Sequence, residues 1–322
     1  MLFISTLIIG TIISISSNTW FGVWMGLEIN LLSIIPLMSK PNSPISAESS
    51  IKYFITQALA SSILMMSIIN MNMMNDMTSN LLIESVMLTK MGAAPFHFWF
   101  PEVMEGLSWN TNIAIMTWQK LAPMVILMYL PLMTSFTIII IIASMVISGL
   151  MGINQTSLRK ILAFSSINHI GWMLSTILFM ESLWLIYFVT YTVIVLPIVW
   201  IFNQMNLTHI KQFMSTINNS TTKMIVALNF LSLGGIPPFL GFLPKWLAIQ
   251  GLIENNLIIL AIFMVVLTLV PLYFYVRMSL TSLVIQQSKI TQENYPVNKM
   301  AFILNAASMM GLMMCTIVFN ST

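Results

Sequence analysis

Three lysines and one glutamate lie inside long apolar stretches of the sequence, where charged side chains are expensive. Glu28, Lys90, Lys120 and Lys245 are each surrounded by residues such as Met, Ile, Leu, Phe and Trp. A lysine at the centre of a membrane-spanning helix costs roughly 2.5–3.5 kcal/mol to insert, so such residues usually serve a function. One lysine could extend to a membrane interface instead. Three buried lysines together with a glutamate favour a shared role. Because lysine and glutamate can each bind and release a proton, that role is predicted to be proton transfer.

The composition predicts that the elements holding these residues are transmembrane helices. The chain has 322 residues, of which 58% are hydrophobic and 7% are charged, against about 25% charged in a soluble domain. Its apolar runs lack the alternation of a membrane β-barrel. Runs near the length of about 20 residues that a helix needs to cross the bilayer predict an all-α membrane protein, a single transmembrane domain over 1–322. The expected spans are about eleven, at 2–17, 20–38, 50–70, 80–95, 111–130, 134–152, 157–178, 182–203, 223–246, 256–277 and 298–319.

Nine basic residues lie in the connections or at the helix ends on one side of the predicted membrane, here called side A, which also holds the N-terminus. The chain has twelve Lys and Arg residues, and the remaining three are the intramembrane lysines. The positive-inside rule therefore predicts that side A is the matrix or cytoplasmic side. No basic cluster alternates with aromatic residues outside the spans, so nucleic acid is not an expected partner. The side-A residues are Lys40, Lys52, Arg159, Lys160, Lys211, Lys223, Arg277, Lys289 and Lys299.

Two segments share the pattern Gly-x-x-Pro-Phe-x-x-x-x-Pro, one at 92–101 and the other at 235–244. They lie five predicted spans apart, so they cross the membrane in opposite directions. Corresponding interrupted helices of opposite direction are typical of an inverted-topology repeat. The sequence thus predicts two discontinuous helices and two repeat halves, 1–130 (helices 1–5) and 134–277 (helices 6–10), followed by an extra helix at 298–319.

The prolines of these segments explain why the helices should break. Pro95, Pro237 and Pro238 have no amide hydrogen, so the carbonyls four residues earlier lose their helical partners. A free carbonyl inside a membrane is tolerated only beside water or another polar group. Lys90 lies five residues before Pro95 and Lys245 seven residues after Pro238. Both lysines are therefore expected beside a hydrated interruption.

His169 and Glu28 complete the expected proton pathway. His169 follows Ser165-Ser166-Ile167-Asn168 in the seventh span and is either a buried structural histidine or a relay suited by its titration range. At an effective dielectric constant of about 20, an opposite charge is worth about 4 kcal/mol at 4 Å and about half that at 8 Å. A small displacement of Glu28 would then switch Lys90 between holding and releasing a proton. Lys120 would pass the proton through His169 and water to Lys245.

Two further ionisable groups inside the spans receive more ordinary interpretations. Glu84 lies about one turn inside the fourth span and is interpreted as an interfacial group, with a proton exit on side B as the alternative. His97, inside the first interrupted segment, is interpreted as structural. The sequence contains no Cys/His metal spacing, haem motif or glycine-rich nucleotide loop, so any redox chemistry is expected in partner subunits.

Four motifs resemble a known family. Lys90 with 92–103, then 117–123, 165–172 and 234–246, look like the NADH–ubiquinone oxidoreductase chain 2 family, antiporter-like membrane subunits of respiratory complex I. The resemblance runs from about Gly22 to the last span and points to the arthropod mitochondrial form, which lacks the first three of fourteen helices found in bacterial relatives. The 30 methionines and the absence of Lys and Arg from the first 39 residues agree with a mitochondrially encoded product.

The resemblance implies that Glu28, Lys90, Lys120 and Lys245 are proton-pathway residues of a multi-pass protein of the mitochondrial inner membrane. It implies a second antiporter-like chain and small membrane subunits as partners, with lipid, cardiolipin being one candidate, on the open side of the bundle. NADH, FMN, iron–sulfur clusters and ubiquinone would be bound by partner subunits. Two alternatives stay open, a stand-alone cation/proton antiporter and a structural membrane subunit with no conducting channel.

Overall fold

The computed structural model describes residues 2–39, 43–71, 76–212 and 220–284. Within these ranges the regular structure is helical, apart from one isolated bridge between Ser157 and His209, so the predicted all-α class is confirmed. The predicted helix at 298–319 and three side-A lysines, Lys40, Lys289 and Lys299, lie outside the described residues. The helices are α1 Leu2–Ser16, α2 Trp20–Met38, α3 Pro44–Asn70, α4 Asp76–Met91, α5 Trp99–Gly106, α6 Trp109–Met116, α7 Trp118–Met128, α8 Thr134–Ile153, α9 Leu158–Ile177, α10 Glu181–Gln204, α11 Ser220–Gly234, α12 Phe242–Glu254 and α13 Ile258–Val284.

Five helices of the described chain are long and apolar enough to cross a membrane, namely α2, α3, α8, α10 and the 258–280 part of α13. Among the described residues, the other predicted spans fall on helices that are shorter, interrupted or more polar. Helix α9 has the length of a span but a more polar sequence, and it is buried along almost its whole surface. A helix enclosed by protein does not face lipid, so it need not be apolar all round. The count of eleven spans stays a prediction.

The chain forms two compact units, one of residues 1–143 and one that begins at Ser144. In the first unit, α1 and α2 are in unusually close contact. A Cβ atom on Gly26 would lie 2.5 Å from the backbone nitrogen of Ser14 and 2.8 Å from the carbonyl oxygen of Gly10. Only glycine allows this approach, and it fixes α2, the helix that carries Glu28, against α1.

Both predicted interruptions are present, and a third was missed. Helix α4 ends at Met91 and α5 begins at Trp99, while α11 ends at Gly234 and α12 begins at Phe242. The connections 92–98 and 235–241 have equal length. The fifth predicted span is also divided, at Thr117, into α6 and α7. The ninth span is predicted to end at 246, whereas α12 continues to Glu254.

Candidate functional site

The first interrupted helix ends in a Schellman motif. Gly92 adopts a φ of 76°, its amide donates to the carbonyl of Thr89 at 3.1 Å, and the amide of Ala93 donates to the carbonyl of Leu88 at 3.0 Å. A left-handed residue directly after the helix is the signature of this motif, and glycine adopts that conformation without steric cost. The sequence thus ends α4 one turn after Leu88, at a position set by Gly92.

Lys90 lies in the last turn of α4, beside the carbonyls that the Schellman motif leaves free. The side-chain amide of Gln57 in α3 donates a hydrogen bond from Nε2 to the backbone carbonyl of Lys90 at 3.4 Å. Lys90 is only 7% exposed, because its helix ends inside the protein. The interruption therefore brings a buried side-chain donor to the helix end, as expected for a carbonyl without its helical partner.

A small polar cavity adjoins Lys90 in the first unit. Its volume of about 10 Å³ is near the minimum that one water molecule requires. Two hydrogen bonds cross its wall, from Tyr53 Oη to Gln119 Oε1 at 3.4 Å and from Gln119 Nε2 to Asn30 Oδ1 at 2.9 Å. The lining residues are Leu27, Asn30, Leu31, Tyr53, Gln57, Lys90, Gln119 and Pro123.

Glu28 lies in α2 between two residues that line this cavity, Leu27 and Asn30. It interacts electrostatically with Lys90, although the two described side chains form no direct ion pair with each other. One Glu28 carboxylate oxygen, Oε2, is buried and has no hydrogen-bond partner in the described part of the chain. The glutamate and Lys90 thus sense each other's charge without direct contact.

Lys120 lies in the first turn of α7, next to Gln119 of the cavity wall. It is 1% exposed, among the largest fully buried side chains. Its ammonium nitrogen lies 5.6 Å from the centroid of the Phe100 ring, within cation–π range. The division before α7 is marked by Thr117, whose hydroxyl donates to the carbonyl of Ile113 at 2.7 Å.

The second unit repeats the backbone of the first interruption. Gly235 adopts a φ of 75°, and its amide donates to the carbonyl of Ser232 at 3.0 Å. The amide of Ile236 donates to the carbonyl of Leu231 at 3.4 Å, which completes a second Schellman motif. The prolyl bonds of the two motifs, Ala94–Pro95 and Pro237–Pro238, are both cis.

Lys245 satisfies a carbonyl that the second interruption leaves free. Its ammonium nitrogen donates to the carbonyl of Gly234 at 2.7 Å and lies 5.9 Å from the centroid of a Trp172 ring. The residue is 8% exposed. The sequence predicted both that Pro238 frees the Gly234 carbonyl and that Lys245 lies nearby, and the structure joins these two groups directly. Lys245 is in the helix after its break, whereas Lys90 is in the helix before.

His169 is buried in the second unit within a cluster of tyrosines. Its Nδ1 atom lies 2.9 Å from the hydroxyl of Tyr187, and its ring centroid lies 5.0 Å from that of Tyr191. Trp172, which contacts Lys245, follows one turn later on the same helix face. His169 therefore has a hydrogen-bonded hydroxyl on one side and lies on the helix that touches Lys245.

Several polar residues of these sites were not singled out from the sequence. They line the cavity or contact the histidine, and the sequence signal that could have identified them is a polar side chain in an apolar span. His97, interpreted as structural, is 3% exposed and packs on Phe98 with ring centroids 4.4 Å apart. No group of His, Cys, Asp or Glu in the described ranges could hold a metal ion. The missed residues are Asn30, Tyr53, Gln57, Gln119, Tyr187 and Tyr191.

The chain is similar in sequence and fold to membrane proteins of known families. Residues 17–270 match the family model described as NADH:quinone oxidoreductase/Mrp antiporter, transmembrane. A subunit of Thermus thermophilus respiratory complex I superposes with a TM-score of 0.83 at 20% identity, covering 96% of this chain and 78% of that one. A chain of the Mrp complex from Dietzia superposes with a TM-score of 0.79 at 16% identity, covering 91% and 62%. The fold is that of the antiporter-like membrane subunits.

Curated relatives narrow this class to one family. NADH-ubiquinone oxidoreductase chain 2 of Aedes aegypti is 50% identical, and that of Anopheles gambiae is 46% identical. Each alignment covers 99% of this chain and 97% of the relative. The chain belongs to the NADH-ubiquinone oxidoreductase chain 2 family, and the resemblance seen in its motifs is confirmed.

Proposed function

We propose that this chain is a membrane-arm subunit of proton-pumping NADH:ubiquinone oxidoreductase in the mitochondrial inner membrane. The observation that carries the proposal is the placement of a buried lysine at each of two matching helix interruptions, Lys90 beside a polar cavity and Lys245 on a freed carbonyl. Amines that are buried yet supplied with polar partners can change protonation state inside a membrane. The insect relatives are named as chains of NADH-ubiquinone oxidoreductase, so we place the proton transfer in that complex.

In the first unit, a proton would enter the cavity and bind Lys90 under the influence of Glu28. A change of about 2 kcal/mol in their interaction, as between separations of about 4 and 8 Å at an effective dielectric constant of about 20, alters the protonation equilibrium of the amine roughly 30-fold. Gln119 links the cavity wall to the helix turn that holds Lys120. This route would pass a proton from the fourth predicted span to the fifth through the cavity.

In the second unit, Lys245 and His169 would carry out the corresponding steps. The hydroxyl of Tyr187 is positioned to accept a proton from, or donate one to, the Nδ1 atom of the imidazole. The transfer from Lys120 through His169 to Lys245 stays a prediction. Since Lys90 and Lys245 lie on opposite sides of their breaks, the two units are not expected to contribute equally.

The finer topology belongs to the same proposal. Eleven spans, an inverted repeat and an N-terminus on the matrix side agree with the side-A lysines and with the two matching Schellman motifs. The redox groups, namely NADH, FMN, iron–sulfur clusters and ubiquinone, would be bound by other subunits. The neighbours of this chain would be another antiporter-like chain, small membrane subunits and lipid, with cardiolipin as one candidate.

A stand-alone cation/proton antiporter is the second candidate function, because the Mrp chain shares the fold. The purified chain in liposomes would then exchange cations for protons without partners. A subunit of a redox-driven pump would show no transport in that assay. A purely structural subunit would tolerate loss of the buried lysines in the assembled complex.

The deciding experiment replaces Lys90 or Lys120 by Met in the assembled complex, reconstituted into liposomes. We expect the ratio of protons pumped to electrons transferred to fall in both variants, because an apolar side chain of similar length cannot carry a proton. Lys211→Met is the matched control, since that lysine is exposed and belongs to neither site. If the Lys90 and Lys120 variants assemble fully and pump as the control does, the proposal is wrong.

A further inference from the structure

Glu84 is a buried acidic residue that the mechanism above does not use. It lies in α4, six residues before Lys90, and is 2% exposed. Its apolar neighbours in the helix, Ile83 and Met87, are fully buried. The structure therefore places Glu84 inside the first unit rather than at a solvated interface. A carboxyl group in such surroundings is expensive and by default indicates a function.

One carboxylate oxygen of Glu84 contacts the beginning of α8. Oε2 accepts a hydrogen bond from the amide of Met133 at 3.4 Å. The carbonyl of Met133 accepts from the amide of Thr137 at 3.0 Å and from its hydroxyl at 3.2 Å, so Met133 occupies the N-cap position of α8. The positive end of the helix dipole thus faces the carboxylate and stabilises its ionised form.

The other oxygen, Oε1, is buried and has no hydrogen-bond partner within the described residues. The charged or titratable groups of the helices packed against α4 are engaged elsewhere. Lys52 of α3 pairs with Glu48 and Glu102, Tyr53 of α3 bonds to Gln119, and Lys120 of α7 lies over Phe100. The sequence of α8 contains no charged residue. Oε1 is therefore available to carry a proton, while Oε2 keeps its amide partner.

We propose that Glu84 is a proton-binding residue that connects Lys90 to the membrane surface at the beginning of α4. At 1.5 Å per residue, Glu84 lies about 9 Å along the helix axis from Lys90 and about 12 Å from the helix start at Asp76. In the transfer, an N–H bond of the Lys90 ammonium breaks and an O–H bond forms on Oε1 through intervening water. That O–H bond then breaks as water at the surface takes up the proton. No electron changes hands.

The proposal rests on the proposed function, because it requires that Lys90 carries protons. Its alternative is a structural role in which Glu84 only ties the α7–α8 connection to α4. The two roles differ in what they need from the side chain. A structural role needs an oxygen acceptor for the Met133 amide, whereas a transport role needs a group that takes up and releases a proton.

The test is the Glu84→Gln variant in the assembled complex, because glutamine keeps an oxygen acceptor of the same reach but cannot carry the proton. We expect the ratio of pumped protons to transferred electrons to fall by as much as in Lys90→Met. Glu181→Gln, at the exposed first residue of α10, is the matched control and should pump as the unmodified complex does. A fully assembled Glu84→Gln complex with an unchanged pumping ratio overturns the proposal.

A second measurement decides the matter if the Gln variant does not assemble. Glu84→Asp retains a carboxyl group whose infrared carbonyl band differs from that of glutamate, so comparing its spectra with those of the unmodified complex isolates the Glu84 band. We expect that band to change during turnover, and a band that stays constant overturns the proposal. If Lys90→Met leaves pumping intact, the proposed function fails first. A loss in Lys90→Met without one in Glu84→Gln refutes only the role of Glu84.

Discussion

Replacing Gly235 by alanine should displace the amine of Lys245 without removing it. Gly235 has a φ of 75°, and a Cβ atom built on it would lie 2.8 Å from Lys245 Cδ and 2.9 Å from Nζ. Ordinary contacts to a Cβ atom begin near 3.4 Å, so the end of the lysine must retreat by roughly half an ångström. The hydrogen bond to the carbonyl of Gly234, now 2.7 Å long, would then lengthen beyond its favourable range.

Two costs follow from this displacement. A non-glycine residue in the left-handed conformation costs roughly 1–2 kcal/mol. A hydrogen bond made by a charged group is worth about 1.5–3 kcal/mol, and losing it leaves the buried Gly234 carbonyl without its donor. We therefore expect Gly235→Ala to lower both the thermal stability of the complex and the ratio of pumped protons to transferred electrons.

Gly234→Ala is the matched control for Gly235→Ala. A Cβ atom there would meet its nearest neighbour, Tyr275 Cδ2, at an ordinary 3.6 Å. Alanine in place of glycine at the end of α11 favours the helix by up to about 1 kcal/mol. Thermal inactivation and the pumping ratio, measured on both assembled variants, separate the effects. If Gly235→Ala pumps like the unmodified complex, or if Gly234→Ala loses as much, the reasoning is refuted.

Three further variants test other parts of the structure. Gly26→Ala should lower the thermal stability of the complex by about 1–3 kcal/mol, because the added Cβ atom meets backbone of α1 that cannot rotate away; thermal inactivation measures it. Tyr187→Phe removes the hydroxyl that is hydrogen-bonded to His169. It should slow proton pumping while lowering the stability of the complex by only about 1 kcal/mol. The pumping rate and the level of assembled complex are the readouts. Gln57→Leu should lower the thermal stability of the complex by about 1–3 kcal/mol, because the carbonyl of Lys90 loses its buried donor. Thermal inactivation again measures the loss.

Each of these expectations has a result that contradicts it. A Gly26→Ala complex as stable as the unmodified one would mean that α1 and α2 are not held at the described separation. Unchanged pumping in Tyr187→Phe would exclude the hydroxyl from proton transfer through His169. A Gln57→Leu complex of unaltered stability would show that another donor, such as water in the cavity, serves the Lys90 carbonyl.

The positions of the two interruptions could be predicted because their causes are local. Gly92 and Gly235 permit the left-handed turn, and Pro95 and Pro238 cannot donate the amides that would continue the helix. The division at Thr117 has no such marker in the sequence, since neither glycine nor proline is present there, and it was missed. The predicted end of the ninth span at 246 differs from the end of α12 at Glu254, and no proline between these positions stops the helix.

The cavity beside Lys90 could not be predicted from sequence spacing. Its wall joins Gln119 to Asn30, which lie 89 residues apart in the chain, and Gln57 comes from a third helix. Burial also depends on tertiary packing. Glu84 was interpreted as interfacial because it lies near the end of a predicted span, but the neighbouring helices and the α7–α8 connection enclose it. Local patterns therefore identified the lysines and the breaks, and packing supplied their partners.

The bond between Lys245 and Gly234 fastens two separate pieces of helix to each other. The backbone of the lysine belongs to α12, while the oxygen that it holds terminates α11. A hydrogen bond from a charged amine is roughly twice as strong as one from a neutral donor, so this clasp is tightest when the amine carries its proton. Deprotonation would weaken this hydrogen bond, so the stiffness of the connection between α11 and α12 would depend on whether the Lys245 amine carries its proton.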